Sequence, residues 1–173
     1  MTVGRTFLMF TARFNVSVLA QSHRDKFAPC YKSMVFLMEK REMIAEIKEK
    51  ATVVIIKEFN ADGALLQYNS VGEVKGKYHG NHIETVDVKL KMDGSNEWEV
   101  KAMETTKEGD VVMITGKGTG RQENAVEGNF KGEVTYMTNS PKLSWLNNKK
   151  GLVEGITDLK NNESTIKVYS ASV

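Results

Sequence analysis

From Thr52 to Tyr169 the chain does not sustain a helical apolar repeat: β-branched and aromatic residues come in short runs, cut by Gly, Asn, Asp or Pro about every 8 to 12 residues. Such punctuation restricts the fold to short strands joined by tight turns, because the crossovers that parallel pairing needs have no residues to build them. Thr52-Val53-Val54-Ile55-Ile56 is a first strand, too short for a helix and rich in strand formers. Asn60-Ala61-Asp62-Gly63 is a turn by its chemistry, a side-chain acceptor followed by a residue that tolerates positive φ. Short apolar runs follow over 65–68 and 71–78. The clearest alternation comes next, with His82, Glu84, Val86, Val88, Leu90 and Met92 on one face and Ile83, Thr85, Asp87, Lys89 and Lys91 on the other. That first face is expected to turn inward from Val86 on. Asp93-Gly94-Ser95-Asn96 makes a second turn, and Trp98, Val100 and Ala102 then alternate with charged residues. Further strands are expected over 111–116, 129–138, 143–146, 152–157 and 164–169.

About nine strands result, and consecutive ones should pair as antiparallel neighbours. The expected fold class is all-β, a single antiparallel meander closing into a small barrel of about eight or nine strands, which would also remove exposed edges. The barrel domain is assigned to residues 38–173, with residues 1–37 an N-terminal extension outside the core. Around Met43, Ile44 and Ile47 the spacing reads as a short helix or a frayed lead-in to the first strand.

A chain of 173 residues can bury a core of its own, and 40% hydrophobic against 27% charged residues argues against disorder. With 24 Lys+Arg against 22 Asp+Glu, the chain is not a strongly basic nucleic-acid binder, and no nucleic-acid partner is expected. No run reaches the roughly 18 apolar residues of a spanning helix, so no membrane partner is expected. The single cysteine, Cys30, excludes an intrachain disulfide and fits a reducing compartment, hence a cytoplasmic location. Residues 1–24 carry no acidic residue, and Arg5, Arg13 and Arg24 are spaced among apolar side chains. That composition reads either as an organelle transit peptide or as an extension upstream of a start at Met34 or Met38.

Gly116-Lys117-Gly118-Thr119-Gly120-Arg121 lacks the Gly-Lys-Ser/Thr ending of a phosphate loop and is followed by polar and β sequence, so it reads as a glycine-bent strand at a barrel rim. His79, His82 and Glu84 bring together imidazole and carboxylate, the chemistry of a divalent metal site or of an acid/base pair. On one strand His82 and Glu84 share a face while His79 does not, and a metal would need a third ligand from elsewhere; no metal and no cofactor are expected. Glu123, Glu127, Glu133, Glu154 and Asp158 are the acidic residues of the later strands and turns. Glu154, alternating with Leu152 and Ile156, would be a credible general base if it faced inward. Tyr136, on the face of Phe130 and Val134, could donate a hydrogen bond to a ligand or simply pack. The catalytic candidates are therefore Glu154, Tyr136, His82 and Glu84.

Three stretches share a glycine rhythm: Gly116-Lys117-Gly118-Thr119-Gly120, Glu127-Gly128-Asn129-Phe130-Lys131-Gly132 and Gly151-Leu152-Val153-Glu154-Gly155. With the intervening 143–146 segment, this second half resembles the small β-barrels of the allene oxide cyclase-like and dirigent-like type. The resemblance implies an apolar interior used for small lipophilic ligands or stereochemical control. Val88, Leu90, Trp98, Val100, Ile114, Phe130, Val134 and Tyr136 are the expected ligand-binding residues, with Val86 and Val168 beside them. The leading function is a binding barrel for a mostly apolar small molecule. The alternatives are an isomerase or cyclase of the same shape and a structural, homo-oligomer-forming module with a filled core.

Overall fold

Turn chemistry sets the bends where the sequence predicts them. Asp62 N–H donates to Asn60 Oδ1 at 2.8 Å, and Ser95 N–H donates to Asp93 Oδ1 at 2.9 Å, while Gly94 takes φ +80°. In the computed structural model, which describes residues 41–171, these turns join β1 (Met43–Asn60) to β2 (Gly63–Gly76) and β3 (Gly80–Lys91) to β4 (Ser95–Thr106). β5 (Val111–Gln122), β6 (Glu127–Met137), β7 (Lys150–Asp158) and β8 (Glu163–Ser170) complete the chain, with a 3-10 helix over Ser144–Asn148 between β6 and β7. Each strand pairs antiparallel with its sequence neighbour, and β8 returns to β1, so the meander closes into a barrel. The readings of the N-terminal extension, the transit peptide, the starts at Met34 and Met38 and Cys30 lie outside the described residues.

Eight strands form where about nine were expected, for two reasons. The runs at 65–68 and 71–78 belong to one strand, β2, whose pairing with β3 continues through Gly72 without a break. The 143–146 run instead enters the 3-10 helix, which buries Leu143 and Leu146. Of the two readings around Met43, Ile44 and Ile47 the helix gives way to the strand, since β1 begins at Met43. Ala45, Ile47, Glu49 and Ala51 alternate inward, and β2 and β8 supply ladder partners on both sides. Weak helical spacing does not survive two complete ladders.

The glycine rhythm is not a rim feature but a lane along the inner wall. Gly116, Gly118 and Gly120 of β5 stand opposite Val134, Gly132 and Phe130 of β6, and Gly132 and Phe130 stand opposite Val153 and Gly155 of β7. A Cβ at Gly118 or Gly132 would collide with the Trp98 ring, and one at Gly155 would collide with the Phe130 ring. The lane therefore seats two aromatics that meet edge to face, centroids 6.0 Å apart, and Trp98 Nε1–H donates to Thr119 O at 3.3 Å.

Beyond Lys50, β1 leaves β8 and, among the described residues, pairs with β2 alone, apart from one Ala51 N–H to Asn162 O bond at 2.9 Å. Its outer half exposes Val53, Val54, Ile55, Ile56 and Phe59, the last 81% exposed.

Gly118→Ala should lower stability by about 3 kcal/mol, because the added methyl meets both Trp98 and the Lys131 backbone carbonyl. Gly155→Ala should cost clearly less, since the nearest atoms it meets belong to the far end of the Phe130 side chain rather than to backbone. Urea unfolding of the two variants checks the order; equal losses would refute the lane.

Candidate functional site

The inward residues of all eight strands enclose a cavity of about 220 Å³. Its walls are apolar: Val86, Val88 and Leu90 from β3, Trp98 and Val100 from β4, Ile114 from β5, and Phe130, Val134 and Tyr136 from β6. Every expected ligand-binding residue lines it, and so does Val168. Asn96, Arg121, Gln122, Asn129 and Asn162 line it at the end formed by the β3–β4, β5–β6 and β7–β8 turns. Toward the opposite end Ile44, Val74, Val112 and Leu146 are almost wholly buried.

Between these ends lies a polar group that the alternation places entirely inside. His82 and Glu84 follow one another on the inner face of β3, so this face is inward from His82 and not only from Val86. The β3–β4 register sets Glu104 directly opposite His82, and Glu49 arrives from β1. His82 Nδ1 lies 3.1 Å from Glu104 Oε1. Its Nε2 lies 3.3 Å from Glu84 Oε2 and 3.4 Å from Glu49 Oε2. The Tyr78 hydroxyl donates to the second oxygen of Glu104. The four side chains are nearly inaccessible, at 2% for His82, 6% for Glu49, 8% for Glu84 and 0% for Glu104.

Three carboxylates around one imidazole shift the protonation of the group. Burial alone would lower the His82 pKa, but hydrogen bonds to Glu104, Glu49 and Glu84 outweigh it and push the pKa up to about 11. Burial raises Glu49 to about 7, with the Glu84 charge adding to it and the His82 contact opposing it. Burial, then the Glu104 charge, pushes both Tyr78 and Tyr136 above the usual phenol range. The donor atoms of Glu49, His82 and Glu84 lie within 4.8 Å of one another, close enough to converge on one cation.

The remaining sequence candidates lie elsewhere. His79 is exposed in the β2–β3 turn, away from His82. Glu154 does not face inward: Gly151, Val153 and Gly155 are the buried positions of β7, and Glu154 sits outside, paired with Arg41 at 3.2 Å. Glu133 pairs with Lys150 at 3.0 Å on the outside, and Glu123 accepts from Asn129 at 2.7 Å. Glu127 is exposed, and Asp158 accepts backbone N–H bonds from Lys160 and Asn161 in the β7–β8 turn. Trp145 lies under the Lys77 ammonium, 5.1 Å from the ring centroid. Sequence reasoning missed Glu49 and Glu104. A signal for the second existed, since the Asp93-Gly94 turn fixes the β3–β4 register and with it the His82 partner.

No family model matches the sequence, and neither does any of the curated proteins compared with it. Solved structures do match. A protein with unknown function from Clostridium acetobutylicum ATCC 824 is 17% identical with a TM-score of 0.68, covering 78% of this chain and 100% of its own. A beta-barrel like protein from Acinetobacter baumannii AYE is 17% identical with a TM-score of 0.64, over 76% and 94% of the two chains. An enzyme from Penicillium herquei is 16% identical with a TM-score of 0.53, over 74% and 92%. The shared feature is the small barrel. At these identities the likeness extends to the fold and not to activity. No helix of the described residues is long and apolar enough to cross a membrane.

Because folded His82 and folded Glu49 both hold their protons to higher pH than the unfolded chain does, both favour the folded state at low pH. The Glu49 contribution is lost between about 4.5 and 7, and the His82 contribution between about 6.5 and 11. In chelator-treated protein the urea midpoint should therefore fall from about pH 5 to about pH 9, and His82→Gln should flatten the part above neutrality. A midpoint that rises over this range would contradict the burial of the charged group.

Proposed function

We propose that this barrel binds a compact, mostly apolar small molecule with one polar end, the apolar part against the Trp98 and Phe130 wall and the polar end toward His82. One observation carries the reading: the lumen keeps open space while combining an apolar wall with a single buried polar cluster. A structural module would fill that space with side chains. A cavity of about 150 Å³ holds a benzene ring, so 220 Å³ suits a ligand of roughly nine or ten non-hydrogen atoms. At about 0.5 kcal/mol per atom such a ligand binds in the range of hundreds of micromolar. The allene oxide cyclase-like resemblance points the same way, toward a lipophilic guest.

An isomerase or cyclase-type activity is the second reading, supported by the His82–Glu104–Tyr78 hydrogen-bond chain reaching the same lumen. Proton removal beside a carbonyl is the reaction class it favours, with a carboxylate of the cluster as the base and protonated His82 as the group that stabilises the developing enolate oxygen. A single probe addresses both: α-tetralone, a bicyclic ketone with exchangeable hydrogens. In a Trp145→Phe background only Trp98 reports, and its emission should change saturably with α-tetralone. Val88→Phe, which fills the lumen, should abolish the change; an unaltered titration would sink the binding reading. Deuterium entering the ketone faster in heavy water, and losing that acceleration in His82→Gln, would favour the enzyme.

Homo-oligomer formation is supported by a different part of the molecule, the apolar outer half of β1, which presents a strand edge that can pair antiparallel with the same edge of a second copy. Light scattering should then show a dimer that Val54→Lys turns into a monomer. A wild-type chain monomeric at every concentration would remove this partner.

A further inference from the structure

We propose that Glu49, His82 Nε2 and Glu84 form a binding site for a divalent first-row transition-metal ion, with zinc the best fit. Ligands held tetrahedrally at about 2.0–2.2 Å from zinc lie roughly 3.3–3.6 Å apart. The Nε2 contacts to Glu84 and Glu49 are 3.3 and 3.4 Å, already at that spacing, and the three donor atoms lie within 4.8 Å of one another, so drawing the two carboxylates together would bring all three onto one ion.

A second, independent observation points to the same place. Among the described residues no well-aligned donor reaches Glu49 Oε2, whose side chain is only 6% exposed and whose contact with His82 Nε2 is a long 3.4 Å. An orphaned carboxylate oxygen is costly at this depth. Among the described residues, no lysine or arginine pairs with Glu49, Glu84 or Glu104, so three carboxylates share one imidazole. A dipositive ion would displace the Nε2 proton of His82 and any proton on Glu49, releasing them to solvent, and would supply charge and a partner for Glu49 together. The imidazole donor favours a transition metal over magnesium or calcium, which prefer oxygen alone.

The surroundings match what a metal-bound histidine needs. With Nε2 on the ion, Nδ1–H donates to Glu104, which is itself held by the Tyr78 hydroxyl. A carboxylate behind a histidine fixes the tautomer and strengthens the ligand. Glu104 and Tyr78 are thus positioning residues. Glu49, His82 and Glu84 all line the lumen, so the fourth coordination position opens into it and would accept water or an oxygen of a guest.

The test uses the full chain, stripped with a chelator and titrated with cobalt(II) and then zinc(II), without any organic ligand, so it stands apart from the α-tetralone experiment. One equivalent of cobalt should bind with the intense visible bands of a four-coordinate site, be displaced by zinc, and raise the thermal midpoint. Glu49→Gln should lose the bands and the metal-dependent rise, while Glu104→Gln should weaken binding about 10–100-fold. In the stripped state at about pH 8.5, above the Glu49 pKa of about 7, Glu49→Gln should unfold at a temperature no lower than the wild type, because it removes a buried carboxylate, and this shows that the variant folds. No stoichiometric cobalt, or a cobalt spectrum identical in Glu49→Gln, would overturn the site and leave Glu49 a protonated member of a hydrogen-bond cluster.

Discussion

Closing eight strands into a ring leaves an interior about as wide as the side chains that point into it, so every inward position competes for the same volume. In this barrel the competition is settled asymmetrically. Leu90, Val88, Val86 and Trp98 project from β3 and β4, while β5, β6 and β7 contribute glycines at many facing positions. Trp98 can lie across the lumen only because Gly118 and Gly132 have nothing to place beneath it. The space that remains, and with it any capacity for a guest, follows from this division between bulky and bare strands.

The same closure isolates the charged group. Period-two alternation continues without interruption from Val86 back through Glu84 to His82, and once Val86 faces inward the other two must as well. Polar residues at interior positions of a closed sheet can only satisfy one another, and Glu104, Glu49 and Tyr78 arrive from three other places in the chain to do so. Neutral, well-packed residues in the same places would often be at least as stable, so the cluster adds little to the stability of the barrel.

Much of this was legible in the sequence. Turns at Asp62-Gly63 and Asp93-Gly94, the alternation of 82–92 and the absence of helical repeats suffice for an antiparallel meander, and the apolar lumen residues follow from parity alone. What escaped did so for physical reasons. Glycines usually mark bends, so the 116–120 run looked like a rim, whereas their period of two marks an inner face with no Cβ. The same oversight left Glu154 open as an inward candidate: Gly151 and Gly155 are the inward positions of β7, and their neighbours must face out. Glu49 was hidden because Ile44 and Ile47 hinted at a helix, and only pairing on both sides of β1 decides otherwise.

The seam between β1 and β8 joins residues as distant as Met43 and Tyr169, whereas every other neighbouring pair is linked by a local connection. Loop-closure entropy makes such a contact the most expensive pairing to initiate. Glu49, His82, Glu84 and Glu104 all lie on the first four strands, which hairpins alone can assemble into an open sheet. The charged group can thus be gathered while still wet, and it is the final zippering of the wall that takes the water away.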